Sequence, residues 1–300
     1  MAFSLSVRDK ITLDNLQMQE MELSSTLEAR LSHLSDMALT AVLSLPPDTP
    51  ALDALLAARK TLSLPTGKYR LHREVLDANR ALLESITGHL ALSDEALFTK
   101  QLCRHLAARD RMPTLSDFFP SETGGGRIAY VGSSFTNDAY NLFSEKLESP
   151  RVVYCKDFEE ACGAVTEGEA EYCILPFRDA AGRRVRTAAQ LLEVYHLTVC
   201  DAVAIYDGED EGREYALCGK TPLPLYGSYT LWLSLAQAEA EAVLRGAPYM
   251  GLALREAHIQ GDANLSFDGE GDPTPVLLWL SLFHSPYRVE GLYHNSAKEV

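Results

Sequence analysis

The chain has 300 residues, 46% of them hydrophobic, enough to bury a sizeable core and a soft prior for two or three domains. Its 27 Lys and Arg stand against 42 Asp and Glu, and a formal charge of −15 repels a phosphate backbone, which argues against a nucleic-acid partner. No run approaches the roughly 20 apolar residues of a membrane span, the opening MAFSLSVRDKITLDNLQ lacks the apolar core of a signal peptide, and the expectation is a cytoplasmic protein with no membrane partner.

Residues 13–112 are rich in Leu, Ala and Glu, with apolar positions recurring every three or four residues, as at Leu71, Val75, Leu76, Leu82, Leu83 and Ile86. That spacing predicts several helices packed as a bundle. Breaks are expected at Pro46, Pro47 and Pro50 and again at Pro65 and Gly67, and Ser93 is the expected N-cap of a last helix running towards Arg109. Pro113 and the run Gly124, Gly125, Gly126 mark residues 113–126 as a linker.

Beyond it the period changes. Strands are expected at 127–132, 151–154 and 172–175, alternating with helices at 137–147, 158–167 and 187–194, which implies a parallel sheet. Further strands at 198–205 and 214–218 flank an acidic turn, Asp207 to Asp210, and complete one α/β lobe over 127–222. Residues 223–300 read as β-α-β-β-β: strand 229–235, helix 237–245, strands 252–259, 276–283 and 287–293, with a turn at Asp268 to Asp272.

The six cysteines form no CxxC pair and sit in apolar stretches, so they read as small buried hydrophobes; neither a metal nor another cofactor is expected. Arg178, Arg183, Arg184 and Arg186 form the one dense basic cluster, suited to a solvated turn or to a small anion.

The lobe opens with IAYVG and then SFT, continues through FEEACGAVTEGEAEYCILPF, and reaches a GRRVRT turn followed by a Leu-Leu helix. In that order these segments resemble the prephenate dehydratases, whose pattern runs IAYLGPEGTFS, F..V..G.ADY.V.PIENS, G.V..T...L. EYALCGK at 214–220 resembles the family's return strand, and YRVEGLY at 287–293 the closing strand of its ACT regulatory module. A helical region ahead of the lobe fits the bifunctional members, in which a chorismate mutase is fused to the dehydratase and ACT domains. The resemblance implies a periplasmic-binding-like α/β lobe, an ACT-like module and a place in phenylalanine biosynthesis.

It also implies candidate sites. RLHREVL at 70–76 resembles a mutase helix motif, with Arg70 where Asp is expected, so Lys60, Arg70, Arg73 and Glu74 are the candidate catalytic residues of a mutase; a solvated helix face is the other reading. In the lobe, Ser134, Phe135, Thr136 and Asn137 stand where the family has its Gly-Thr-Phe-Ser turn, and Arg178 and Asp179 follow the proline where it has Glu-Asn-Ser. The first group is suited to an anion at a helix N-terminus or to plain capping. In the ACT-like part Glu256 and His258 fall in the segment corresponding to Glu-Ser-Arg-Pro.

Two departures bear on activity. The family inserts a whole second lobe before the return strand, and its Thr-Arg-Asp motif comes from there; here one strand and an acidic turn fill that interval, and no such triplet occurs. Dehydratase activity is therefore expected to be absent. The strand expected at 276–283 leads straight into the last one, so the ACT-like module is expected to lack its second helix. Three functional readings follow: a regulatory or ligand-sensing protein binding chorismate, prephenate or an aromatic amino acid; a divergent chorismate mutase; or an assembly protein. A homodimer is expected, because ACT sheets commonly pair side by side.

Overall fold

In the computed structural model the described residues are 7–43, 85, 90–119, 126–207, 211–225, 227–284 and 286–294. They belong to two compact units, Met1–Pro113 and Thr114–Val300.

In the first unit α1 (Val7–Leu43) packs against α2 (Leu92–Ala107). Each buries a stripe at three- and four-residue spacing, Leu31, Ser35, Ala38 and Leu39 on α1 and Ala96, Thr99, Leu102, Cys103 and Leu106 on α2. Asp36 Oδ1 lies 2.5 Å from His105 Nδ1, and Ser32 Oγ lies 3.3 Å from the other ring nitrogen. The expected cap of α2 is displaced: Ala91 is the N-cap, its carbonyl accepting from Asp94 N at 2.8 Å, and Ser93 falls inside the first turn. Asp94 and Glu95 in that turn complement the helix dipole, a start signal independent of a hydroxyl cap. The other helices expected within 1–112 fall outside the described residues.

The second unit begins with a helical turn, α3 (Leu115–Phe118), inside the stretch expected to be a linker, closed by a capping box between Thr114 and Asp117. Then come β1 (Arg127–Val131), α4 (Ser134–Ser144), β2 (Arg151–Cys155), α5 (Phe158–Thr166), β3 (Tyr172–Arg178), α6 (Arg186–Val194), β4 (Thr198–Asp207) and β5 (Glu211–Gly219). Ser133 caps α4 and Asp157 caps α5, each accepting from the backbone N–H three residues on. The period-2 strands sort their side chains between two faces. Ala129, Cys173, Leu175 and Phe177 pack with Ala161, Cys162 and Val165 of α5 and Ala188 and Leu192 of α6. Ile128, Tyr130, Ile174 and Leu217 pack with Ala139 and Phe143 of α4.

The remainder is β6 (Ser228–Leu235), α7 (Gln237–Gly246), β7 (Ala253–Gln260), β8 (Asp262–Glu270), α8 (Thr274–Phe283) and β9 (Tyr287–His294). This is a β-α-β-β-α-β arrangement and corrects the expected β-α-β-β-β: residues 276–283 are a helix. The run VLLWLSLF is apolar throughout, so it carries no period to separate a buried helix from a buried strand. The helical signals lie just ahead of it, Pro273 at the N-terminus and Asp272, whose Oδ1 accepts from Thr274 N at 2.9 Å. The turn expected at 268–272 lies partly within β8; the β7–β8 hairpin turns at Gly261, whose φ of +79° places it in the left-handed region.

The nine strands among the described residues form one mixed sheet in the order β2-β1-β3-β5-β4-β9-β6-β8-β7. β1 is parallel to β2 and β3, whereas β5 runs antiparallel to both β3 and β4. β9 joins β4 through the Val199–Gly291 pair, and Thr198 Oγ1 donates to Val289 O at 3.1 Å beside it.

Candidate functional site

The turn after β1 uses its polar groups internally. Ser133 N donates to Thr136 Oγ1 at 2.9 Å, Thr136 N to Ser133 Oγ at 3.2 Å, and the Thr136 hydroxyl to Val131 O at 2.6 Å. Asn137 Oδ1 accepts from the Tyr130 hydroxyl at 3.1 Å, and the ring of Phe135 lies 5.0 Å below the Arg213 guanidinium. Thr136 is buried and Ser134 is exposed in the first turn of the helix. Ser134, Phe135, Thr136 and Asn137 thus share one helix start, where the hydroxyl of Thr136 closes the capping box with Ser133.

Arg178 and Glu256, expected at separate places in the lobe and the ACT-like part, meet. A register shift at the end of β3 carries the Arg178 side chain towards β7. There its guanidinium reaches Glu256 at 2.8 Å, Glu214 at 3.3 Å and the carbonyl of Gly182 at 3.0 Å. Arg184 adds a contact to Glu256 at 3.4 Å and lies 3.9 Å over the Trp232 ring, a cation–π stack. Burial alone would raise the Glu256 carboxyl; the hydrogen bond from Arg178 and the charges of Arg178, Arg184 and Arg255 outweigh it and hold the group below its usual range. Burial pulls the Arg184 guanidinium down. Asp179 does not join this cluster: it closes a turn, accepting from Ala181 N at 3.0 Å and from Arg183 N at 2.9 Å. His258 is exposed on β7, paired in register with Asn264. Lys60, Arg70, Arg73 and Glu74 lie outside the described residues.

Sequence reasoning did not single out the cleft that lies between α6 and the sheet, with a volume of about 610 Å³. One wall is a stripe of α6, Arg186, Ala189, Gln190 and Glu193, spaced i, i+3, i+4 and i+7. The opposite side of the helix buries Ala188 and Leu192 in the core. The other wall is a polar row across three strands, Asn264 on β8, Ser234 on β6 and Arg288 on β9, in direct register. Between Trp232 and Leu233 the register with β9 slips by one, leaving Glu290 as the bulge residue with no partner on β6. Arg288 donates to Glu290 Oε2 at 2.6 Å, and burial pushes the Glu290 carboxyl up, partly offset by Arg288. Trp232, Leu235 and Tyr287 supply apolar surface. The helical stripe was legible as spacing, and Arg186 as one member of the basic cluster. The cross-strand row was not, because it depends on register.

Among the described residues no group of His, Cys, Asp or Glu is placed to hold a metal ion, and no helix is long and apolar enough to cross a membrane.

No family model matches the chain, and no curated protein matches it. Among solved structures it is similar to prephenate dehydratase from Streptococcus mutans, at a TM-score of 0.45 and 18% identity over 56% of this chain and 98% of that one. It is similar to GqqA, described as a novel type of quorum quenching acylase, at a TM-score of 0.42 and 20% identity over 58% of this chain and 97% of that one. A third is prephenate dehydratase from Arthrobacter aurescens in complex with L-Phe, at a TM-score of 0.45 and 11% identity over 57% and 91%.

Proposed function

We propose that this protein is a relative of the prephenate dehydratases that does not dehydrate prephenate and serves aromatic amino acid metabolism by binding a small ligand. The observation that carries this reading is the β4–β5 hairpin. The ladder between these strands continues out to Asp207 and Glu211, so three residues, 208–210, stand where the resemblance calls for an entire second lobe. Acid-catalysed departure of the hydroxyl as water needs a proton donor on the opposite wall and exclusion of bulk solvent. Three residues are too few to supply either. The segments IAYVG, FEEACGAV and AEYCILPF support the ancestry, and the β-α-β-β-α-β half, with both helices present, supports a regulatory role.

The test pairs turnover with binding. Purified full-length protein with prephenate is expected to form no phenylpyruvate above the uncatalysed rate, and at least one of chorismate, prephenate, phenylalanine, tyrosine or tryptophan is expected to raise the melting temperature, since a ligand that binds only the folded state stabilises it by mass action. Enzymatic release of phenylpyruvate would refute the non-dehydrating reading. A melting temperature unmoved by all five would refute the ligand-binding one.

A further inference from the structure

The cleft beside α6 mixes both signs of charge. Its walls bring two guanidinium groups, Arg186 and Arg288, against three carboxylates, Glu193, Asp262 and Glu290. A phosphate or a dicarboxylate would meet more negative than positive charge here, and a plain cation would leave Arg186 facing its own sign. Arg288 is engaged by Glu290, so the free valences differ from the raw count. Among the described residues Arg186 has no ion-pair partner, and neither does the second oxygen of Glu290. Glu290 is 8% exposed, and the β-bulge that turns it out of the ladder costs the sheet a pairing position. Ser234 and Asn264 add neutral donors and acceptors beside it, and the volume is that of a small-molecule site.

We propose that this cleft binds a small zwitterion of amino-acid size, its carboxylate on Arg186, its ammonium on the open oxygen of Glu290 with Glu193 nearby, and its side chain along Trp232, Leu235 and Tyr287. A guanidinium suits a carboxylate because its planar fork matches two oxygens, and a carboxylate shielded from water is a strong acceptor for an ammonium. This deepens the ligand-binding reading above and rests on it for the consequence of binding, though not for the geometry.

The test is titration calorimetry on the full chain with glycine, leucine, phenylalanine and tryptophan, then with the N-acetyl and carboxamide derivatives of whichever binds tightest. Removing either charge of the ligand is expected to weaken binding about tenfold or more, as is Arg186→Gln, since each deletes one charge-assisted hydrogen-bonded contact. Arg186 and Glu193 are exposed, so Arg186→Gln and Glu193→Gln keep the test open if Glu290→Gln fails to fold. An N-acetyl derivative that binds as tightly as the free amino acid, an Arg186→Gln variant with unchanged affinity, or no binding by any of the four would overturn the site. Phenylalanine binding that survives Arg186→Gln would sink this location while sparing the ligand-binding reading. A leucine-only site that depends on Arg186 would support the location and count against an aromatic ligand.

Discussion

Replacing Arg178 by methionine tests the cluster that ties β3 and β5 to β7. The side chain is 15% exposed and holds Glu256, Glu214 and the Gly182 carbonyl, at 2.8, 3.3 and 3.0 Å. Charge-assisted hydrogen bonds are worth about 1.5–3 kcal/mol each when well shielded. Here the two carboxylates are 41% and 39% exposed, so water recovers part of that. Roughly 1 kcal/mol per contact is the fair figure, giving a loss of about 2–4 kcal/mol, or roughly 5–12 °C in Tm for a unit of this size. A double-mutant cycle with Glu256→Gln, by urea denaturation, is expected to show about 1–2 kcal/mol of coupling at pH 7. The acid limb supplies a second reading. Glu256 has a folded pKa below its unfolded value, so its contribution is complete above the ordinary glutamate range and disappears as pH falls through the folded value. The stability gap between Arg178→Met and the parent should therefore narrow below about pH 4. A coupling below about 0.5 kcal/mol, or a gap constant from neutral to acid pH, would refute the cluster as a stabilising link.

Lys146→Met should cost about 1–3 kcal/mol, because it leaves Oδ2 of the buried Asp201 without the Lys146 Nζ it meets at 2.6 Å, while Oδ1 keeps the Ala202 N–H and the lysine itself is half-exposed; adding Asp201→Asn should restore part of the loss in the same denaturant assay. Gly246→Ala should destabilise by about 1–3 kcal/mol despite the better helix propensity of alanine, since the added Cβ would meet the Trp279 ring, and Trp279→Leu should remove the penalty in a thermal melt.

Local pattern was enough for β1 through α6, where strands alternate with amphipathic helices and each switch is marked by Gly, Ser or Asp. It failed where a segment has no polar face. Residues 274–283 bury nine of their ten side chains, so neither period shows, and the deciding features are Asp272 and Pro273 just before them. The sequence DANLSFDGE is weak as a strand on its own and became β8 because β6 and β7 pair with it on both sides. Arg178 and Glu256 were visible as residue types 78 positions apart, yet their meeting depends on a bulge in β3 and on the placement of β7. Glu290 was no more conspicuous in the sequence than any other glutamate, because a bulge is a property of two strands in register.

The hairpin and the cleft are linked through β4. A strand at the edge of a sheet exposes unpaired N–H and C=O groups, and a protein must pair, cover or interrupt them. With only three residues between Asp207 and Glu211, β4 has β5 on one side, and the other side is taken by β9 through Val199 and Gly291. A side chain at Gly291 would press on Val199 Cβ at 3.3 Å, so the approach of the two strands there favours glycine. Docking β9 in that position extends the sheet to β6 and β8 and sets their polar row opposite the stripe of α6. The strand order that seats β9 beside β4 thus builds a concavity, with charges of both signs, between helix and sheet.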